Sequence, residues 1–276
     1  MSSKVAPLAS PISAAPFDHI AETYDAIFTD SLIGRAQRDS VWLELDRCFR
    51  PGQRILELNC GTGEDAVHAA ERGVGVLACD AAPRMIEVAR RRLHSLRSGI
   101  RPEFRVLATE RISLLEGEGP FDGVFSNFGG LNCVEDLSAV ARDLARLLVP
   151  GATALLCMLG RSAAWEIAWY LAQGKPRKAL RRFQGGGSIA RLTEGVTVRV
   201  HYPSVRAMSQ LFAPQFRLIG LKGVGVTVPP SYVETLARRF PRVLLTLKQL
   251  DGWVSGLPVL RSLADHVLFE FKRLKR

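Results

Sequence analysis

The hydrophobic residues of this chain recur at two alternating spacings, which predict strands and helices in turn. Short runs rich in apolar residues, typical of buried strands, lie at 54–59, 74–79, 103–108, 121–126 and 152–159. Apolar residues three to four positions apart, typical of helices, lie at 64–72, 83–97 and 135–148. Strands that alternate with helices favour an α/β fold with a doubly wound, mostly parallel sheet covered on both faces.

The pattern is different on either side of this alternation. Two amphipathic helices are predicted before it, at 17–30 and 35–49. After Gly160 we predict a helical insertion at 162–184, a flexible joint at 185–187, and further elements in the order strand 196–202, helix 204–213, strand 216–224, helical segment 231–256 interrupted at Pro241, and strand 266–272. The predicted regions are a flexible leader (1–16), N-terminal lid helices (17–50), a nucleotide-binding core (51–160), an insertion that covers the acceptor (161–213), and strands and helices that complete the sheet (214–276).

Charge divides the chain into two unlike halves. Residues 1–160 contain 17 Lys and Arg and 21 Asp and Glu, whereas residues 161–276 contain 20 and 6. The second half therefore has a net charge of +14, within an overall charge of +10. Such an excess favours an anionic partner, either a membrane surface or nucleic acid, although a basic solvated surface would look the same.

The ends and cysteines of the chain point to a cytoplasmic protein. The leader contains one lysine and no continuous apolar core, which is unlike a signal peptide, and we find no apolar stretch long enough to span a membrane. Five cysteines, an odd number, have no metal-ligand spacing, so we expect buried thiols and no metal site.

A glycine-rich turn joins the first strand of the alternation to its helix. Gly61 and Gly63 occupy this turn, Glu64 and Asp65 follow at once, and Asp80 ends the next strand. The spacing formally fits a dinucleotide fingerprint with a ribose-binding acid. Two carboxylates at the start of the helix would, however, repel a pyrophosphate. A ligand with a ribose, a positive charge and no phosphate removes the conflict, and S-adenosylmethionine (SAM) meets these conditions.

The motifs around this turn resemble those of class I SAM-dependent methyltransferases of the small-molecule type. The run 56–63 (LELNCGTG) resembles their motif I, 76–85 (VLACDAAPRM) their second motif, and 121–127 (FDGVFSN) their fourth strand and its loop. The opening Phe17, Ile20, Tyr24 and Asp25 are similar to their lid helix. The resemblance covers roughly residues 17–160. It implies a seven-stranded, Rossmann-like methyltransferase fold with lid helices and an insertion after strand five.

The resemblance also implies SAM as cofactor, S-adenosylhomocysteine (SAH) as product, and a set of cofactor contacts. The backbone would approach the cofactor at Gly61 and Gly63. Glu57 would balance its ammonium group directly or through water, and Asp80 would accept hydrogen bonds from the ribose hydroxyls. Met85 would pack on the adenine, and Tyr24 would close over the methionine part. Ala108 stands where many relatives have an adenine-binding acid, so Glu110 or backbone groups would have to replace it. The full set of expected contacts is Tyr24, Glu57, Asn59, Cys60, Gly61, Gly63, Asp80, Ala81, Met85, Glu110, Arg111, Asn127 and Phe128.

Catalytic residues are harder to predict, because methyl transfer from a sulfonium depends largely on holding the nucleophile in line. A general base is needed only for an acceptor that arrives protonated. His19 on the lid and His201 at the end of an inserted strand are the histidines we consider best placed for that role. We assign none to His68, His94 or His266. The loop after the fourth strand lacks the Asn-Pro-Pro pattern of methyltransferases that act on nucleobase or glutamine nitrogens.

The insertion bears on the acceptor. Trp165, Trp169 and Tyr170 precede five cations at 175–182, a combination that suits a membrane interface or a lid over an apolar substrate. We therefore predict methyl transfer to O, N or C of a small, apolar or lipid-like acceptor, by a cytoplasmic enzyme that contacts the membrane peripherally. The alternatives are an RNA methyltransferase that uses the basic half, a SAM-binding protein without catalysis, and, as the weakest, a dinucleotide oxidoreductase.

Overall fold

The structure is a computed structural model and describes residues 15–96, 99–184 and 186–275. The predicted leader, except its last two residues, and Gly185 of the predicted joint lie outside the described residues. Within them, the strands are β1 (Arg54–Leu58), β2 (Gly75–Asp80), β3 (Glu103–Val106), β4 (Phe121–Ser126), β5 (Leu148–Leu159), β6 (Ser188–Thr193), β7 (Val196–Val200), β8 (Phe216–Val224) and β9 (His266–Arg273).

Seven of these strands form one sheet in the order β3-β2-β1-β4-β5-β9-β8. Strands β1 to β5 are parallel to one another, whereas β9 is antiparallel to both β5 and β8. The prediction of a mostly parallel, seven-stranded, Rossmann-like sheet is therefore confirmed.

The α-helices follow the predicted order closely. They are α1 (Ala21–Tyr24), α2 (Leu32–Cys48), α3 (Glu64–Glu71), α4 (Pro83–Arg92), α5 (Leu137–Leu147), α6 (Ala164–Ala172), α7 (Pro176–Ala179), α8 (Val205–Phe212), α9 (Glu234–Arg239) and α10 (Pro241–Val254). A 3₁₀ turn (Pro16–Ile20) precedes α1, and a π-helical turn (Asp25–Thr29) follows it. Side-chain caps begin several helices: Asp136, for example, accepts hydrogen bonds from the N–H groups of Ser138 and Ala139 at the start of α5.

Two hydrophobic cores cover the two faces of the sheet. On one face, α5 and α8 pack against the strands through residues such as Leu144 and Phe212. On the other face, α2, α3 and α4 do so through residues such as Leu45, Ala69 and Ile86. Burial on both faces explains the runs rich in apolar residues, because every side chain of a central parallel strand meets a helix.

The region after β5 differs in two respects from the prediction. Strand β6 was not predicted, and it pairs with β7 in a separate two-stranded antiparallel hairpin. Residues 188–193 are partly buried or exposed in alternation. Such a strand does not need a run of apolar residues, so its sequence gives no strong strand signal. Helix α8, which we placed in the insertion, packs on the main sheet through Met208 and Phe212. The domain boundaries themselves stay predictions.

The antiparallel direction of β9 matters for function. The parallel strands β1, β2, β4 and β5 have their carboxyl ends at one edge of the sheet, where α/β proteins bind their ligands. Because β9 runs the opposite way, it begins at that edge, with His266 paired to Leu159 at the end of β5. The first residue of β9 and the last residue of β5 are therefore neighbours.

Candidate active site

A cavity of about 510 Å³ opens at the carboxyl edge of the sheet; we call it the first cavity. Nine of the residues expected to contact a cofactor line it: Tyr24, Asn59, Gly61, Asp80, Ala81, Met85, Glu110, Asn127 and Phe128. They come from the lid and from the loops after β1, β2, β3 and β4. The structure thus brings together side chains that are up to 104 positions apart in the sequence.

The turn after β1 and the end of β2 are joined by hydrogen bonds. The Gly61 N–H donates to Asp80 Oδ2 at 2.9 Å, and the Ala82 N–H donates to Oδ1 at 2.9 Å. Burial raises the pKa of Asp80, and these backbone donors oppose the rise. A carboxylate has about four acceptor positions, so each oxygen keeps one for a further donor. Gly61 has a φ of +54° with open space where a Cβ would lie, so bare backbone faces the cavity.

Three of the expected contacts, Gly63, Glu57 and Arg111, do not line the first cavity. They also do not line the two smaller cavities that adjoin it and are described below. A Cβ on Gly63 would meet Phe104 Cζ at 2.7 Å and Ala89 Cβ at 2.8 Å. This glycine is therefore required for helix packing, which corrects our expectation that it approaches the cofactor. Glu57 lies beneath the turn, where burial and then the charge of Asp65 raise its pKa well above the usual range, so it does not supply an exposed counter-charge. Arg111 does not line these cavities either.

A small niche of about 30 Å³ adjoins the turn and contains a cation that sequence analysis missed. Cys60, another expected contact, lines it, and so does Arg38 of α2. Arg38 is buried and pairs with Asp65 at 2.6 Å, and among the described residues its Nε has no hydrogen-bond partner. The one signal in the sequence was that an arginine lies on the apolar face of a predicted amphipathic helix.

The acids that follow the turn are neutralised by arginines. Glu64 forms ion pairs with Arg35 and Arg92, and Asp65 forms one with Arg38. These ion pairs contradict our expectation that two unpaired carboxylates at this turn would repel a pyrophosphate. What argues for a cofactor with a ribose is instead the geometry of Asp80 and Gly61.

Tyr24 and Phe128 mark the junction between the first cavity and a second one of about 320 Å³. Both residues, together with Leu159, line both cavities. Burial raises the pKa of Tyr24 to about 12, which keeps its hydroxyl neutral. Phe128 has a φ of 44°, a region that non-glycine residues rarely adopt and that is often found at functional sites. The second cavity is also lined by apolar residues of the lid, charged residues of the insertion, and two residues where β9 begins: Ile20, Ile27, Phe28, Glu166, Arg181, Arg182, Asp265 and His266.

The two histidines proposed as bases do not line either cavity. His19 is exposed on the 3₁₀ turn before α1. The backbone of His201 is bound to Asn132, and its Nε2 is buried without a hydrogen-bond partner in the described part of the chain. His266, to which we gave no role, lines the second cavity.

The hairpin β6–β7 and the insertion form the outer wall of the site. Ala190, Leu192, Val198 and Val200 of the hairpin line the first cavity.

Within α6, Glu166 points inward and is buried, whereas Trp165 and Trp169 are 38% and 42% exposed. The tryptophans are thus at the surface, not in the core. Of the five cations at 175–182, Arg182 is buried and Arg181 pairs with Glu166, so the exposed cations of this cluster are Lys175, Arg177 and Lys178.

A further depression of about 570 Å³ lies at the amino end of β4, at the edge of the sheet opposite to these loops. Its charged lining residues, Glu116 and Arg146, pair with each other at 3.4 Å. It contains none of the expected contacts, so we place the functional site at the carboxyl edge.

Comparison with known proteins agrees with this placement. The family model of the methyltransferase domain matches residues 55–151. The ubiquinone biosynthesis O-methyltransferase of Xanthomonas campestris pv. campestris is 40% identical over 118 residues, which are 43% of this chain and 48% of that protein. The chain spans about half the length of the curated relatives it matches.

Solved structures extend the similarity of fold beyond the matched region. A SAM-dependent methyltransferase of Methanosarcina mazei superposes with a TM-score of 0.57 at 16% identity, over 84% of this chain and 98% of that one. A second structure is that of Haemonchus contortus phospholethanolamine N-methyltransferase 2 in complex with phosphomonomethylethanolamine and S-adenosylhomocysteine. It superposes with a TM-score of 0.56 at 19% identity, over 94% of this chain and 57% of that one. Residues 55–151 therefore match a methyltransferase domain, and the chain has the fold of solved SAM-dependent methyltransferases.

Proposed function

We propose that this protein transfers a methyl group from SAM to O, N or C of a small, apolar or lipid-like acceptor. One observation carries the proposal: the first cavity, with Gly61, Asp80 and Met85, meets the second cavity at Tyr24 and Phe128. A cofactor and an acceptor held in adjoining cavities can react at their junction. The domain family supports the cofactor, as does the SAH bound to the Haemonchus contortus protein.

The residues present fit SAM in the first cavity and the niche. Asp80 would accept hydrogen bonds from the ribose hydroxyls with the acceptor positions that Gly61 and Ala82 leave open. Met85 would pack against the adenine. Arg38, with its unpaired Nε, would hold the carboxylate of the methionine part. SAM supplies the methyl group as an excellent electrophile, and the chain's contribution is to orient the acceptor and exclude water.

The walls of the second cavity support an apolar acceptor. Ile20, Ile27, Phe28 and Phe128 contribute hydrocarbon surface, while the charged residues are mostly engaged with one another. Arg182, for example, pairs with Glu166 at 2.6 Å and with Asp265 at 2.8 Å. Burying apolar surface would therefore provide much of the affinity for an acceptor, at roughly 25 cal/mol per Å².

Binding of the product is the direct test of the cofactor assignment. We expect isothermal titration calorimetry to show SAH binding and little or no binding of NAD or NADP, because the niche that contains Arg38 has a volume of only about 30 Å³ and would accept a carboxylate but not a pyrophosphate. The opposite preference would contradict the proposed function. Transfer of radiolabelled methyl groups from SAM to hydroxylated small molecules, to amines and to total RNA would then separate a small-molecule enzyme from an RNA methyltransferase, and would detect loss of catalysis.

We also propose that the basic half contacts an anionic membrane surface, which would make the protein peripheral to the membrane. Of the six acids after residue 160, five are buried or engaged: Glu166 and Asp265 with Arg182, Asp251 and Glu234 with backbone N–H groups, and Glu270 with Arg47. The remaining exposed charge is therefore almost entirely positive. Exposed Trp165, Trp169 and Trp253 lie in the same half, a combination typical of membrane interfaces. None of the helices in the described residues is long and apolar enough to cross a bilayer.

Removing both exposed tryptophans of α6 tests this contact. We expect the double variant Trp165→Ala, Trp169→Ala to bind vesicles of anionic phosphatidylglycerol several-fold more weakly in a sedimentation assay, with unchanged SAH affinity. Each exposed cation contributes about 1 kcal/mol at such a surface, so binding should also fall with added salt. Leu114→Ala, which removes an exposed apolar side chain from the acidic half, is the matched control. Equal vesicle binding by the double variant and the wild type would argue against the proposal.

A further inference from the structure

The second cavity contains a buried imidazole whose two nitrogens are in different surroundings. His266 is 5% exposed and lines the cavity at its border with Phe128, whose ring lies edge-on at 5.3 Å. Its Nδ1 is buried, has no hydrogen-bond partner among the described residues, and lies 3.5 Å from Asp265 Oδ2. The other ring nitrogen is Nε2.

Asp265 is held in place by a buried arginine. Its Oδ1 accepts a hydrogen bond from Arg182 Nη2 at 2.8 Å, and Arg182 is itself fixed by Glu166 and by the Gly160 carbonyl. Burial alone would raise the pKa of Asp265, but the charge of Arg182 and its hydrogen bond lower it, so the carboxylate is ionised. An ionised carboxylate beside Nδ1 favours the tautomer with the proton on Nδ1 and leaves the lone pair on Nε2.

We infer that His266 is the general base for an acceptor hydroxyl bound in the second cavity, with Asp265 as the residue that orients its ring. This inference rests on the proposed function. It selects among the acceptors left open there a hydroxyl group on an apolar scaffold, of the phenol or enol type. Such an acceptor arrives protonated and needs a base, whereas a thioether or a free amine lone pair does not.

The reaction balances with these groups alone. The hydroxyl oxygen attacks the methyl carbon of SAM, the carbon–sulfur bond breaks, and its electron pair stays on sulfur to give the neutral thioether of SAH. The hydroxyl proton passes to His266 Nε2. The imidazolium formed is stabilised by the Asp265 carboxylate and returns the proton to water after the product leaves.

The protonation state of His266 agrees with a base at neutral pH. Burial lowers the pKa of His266 below its usual range, Asp265 partly opposes this, and Arg182 adds to it. The imidazole is therefore neutral at pH 7 and can accept a proton. The other titratable or charged groups around the cavity are Tyr24, Glu166, Arg181 and Tyr232.

A nitrophenol probe tests this inference, because its phenolate is coloured and reports directly on proton loss. The full chain with saturating SAH is titrated with 4-nitrophenol across a pH series, and the absorbance of the bound probe is followed. We expect the probe bound to the wild type to ionise at a pH at least one unit lower than the probe bound to His266→Gln, which is a tenfold difference in proton concentration. General bases typically contribute 10²- to 10⁴-fold in rate, so methyl transfer to any hydroxyl acceptor should fall in that range.

Two further variants make the result decisive. His201→Gln removes the rival histidine, which does not line the cavity, and should leave the ionisation of the probe unchanged. Asp265→Asn should move His266 from the Nδ1-protonated tautomer toward a mixture, visible in the ring ¹⁵N shifts of labelled histidine. Circular dichroism and SAH binding show which variants are folded, and His266→Asn serves as the replacement if His266→Gln is not.

The possible outcomes separate this inference from the proposed function. Absence of SAH binding by the wild type would mean that the proposed function has failed. If SAH binds but the probe does not, the second cavity is not a site for hydroxyl acceptors. If the probe ionises equally in wild type and His266→Gln, or if only His201→Gln changes it, His266 is not the base.

Discussion

Replacing Asp80 with alanine should weaken SAH binding by two orders of magnitude or more while leaving most of the fold intact. Each hydrogen bond to a charged group contributes about 1.5–3 kcal/mol, and Asp80 has one free acceptor position on each oxygen for the two ribose hydroxyls. Calorimetric titration of SAH into the variant measures the loss. Asp80→Asn should lose less affinity, because it keeps one carbonyl acceptor.

A matched control is available at the start of α5. Asp136, like Asp80, accepts two backbone N–H groups, but it lies outside the cavities. Asp136→Ala should therefore leave SAH affinity unchanged, although removing a helix cap commonly costs about 0.5–2 kcal/mol of stability. Unchanged affinity in a folded Asp80→Ala variant would mean that the ribose binds elsewhere.

Replacing Arg38 with methionine should destabilise the protein by about 3–5 kcal/mol, the usual result of leaving one partner of a buried ion pair without the other. Arg38 and Asp65 are both buried and lie 2.6 Å apart. Denaturant unfolding measures the loss. The double variant Arg38→Met, Asp65→Asn should recover part of it, because the unpaired charge is then absent.

Exposed arginine pairs provide the control for this prediction. Arg91 pairs with Glu22 at 2.6 Å on the surface, and Arg91→Met should have no measurable effect, since water and salt screen such pairs. A loss in Arg38→Met no larger than in Arg91→Met would show that the buried pair is not a structural requirement.

The contribution of the buried pair should also depend on pH. Burial alone would raise the pKa of Asp65, but Arg38 and the hydrogen bonds from Asn127 and Trp42 lower it. A carboxyl group with a depressed folded pKa stabilises the fold fully above its unfolded pKa, about 3.9, and loses that contribution as the pH falls. The stability difference between wild type and Arg38→Met should narrow over that acidic range.

Local sequence was sufficient to predict that Gly61 and Asp80 lie close together. Gly61 and Asp80 each lie at the end of a strand, and β1 and β2 are adjacent and parallel, so consecutive strand–turn–helix units bring the two turns to one edge. The runs rich in apolar residues predicted this arrangement because the strands are buried on both faces. The same local logic failed at Gly63, where a packing requirement from Phe104 and Ala89 has the same sequence signature as a ligand contact.

Only the tertiary structure decided the acceptor side and the electrostatics. The pairing of Arg38 with Asp65, and of Arg35 and Arg92 with Glu64, depends on how α2 and α4 pack around α3, and no periodicity encodes such pairings. The periodicity of α6 likewise did not show that Glu166 points inward and the tryptophans outward. The partner of Glu166 is the buried Arg182, which lies in a different turn, so the sequence of α6 alone does not indicate this orientation.

His266 shows the difference most clearly. The sequence by itself determined that this histidine begins the last strand, and it determined most of the elements and the parallel core. It could not determine the direction of β9, since strand polarity follows from how the chain returns after α10. The antiparallel pairing places His266 beside Leu159 at the edge where β5 ends. A residue from the opposite end of the sequence thereby becomes part of the cavity, because contact in a sheet depends on register and direction and not on distance along the chain.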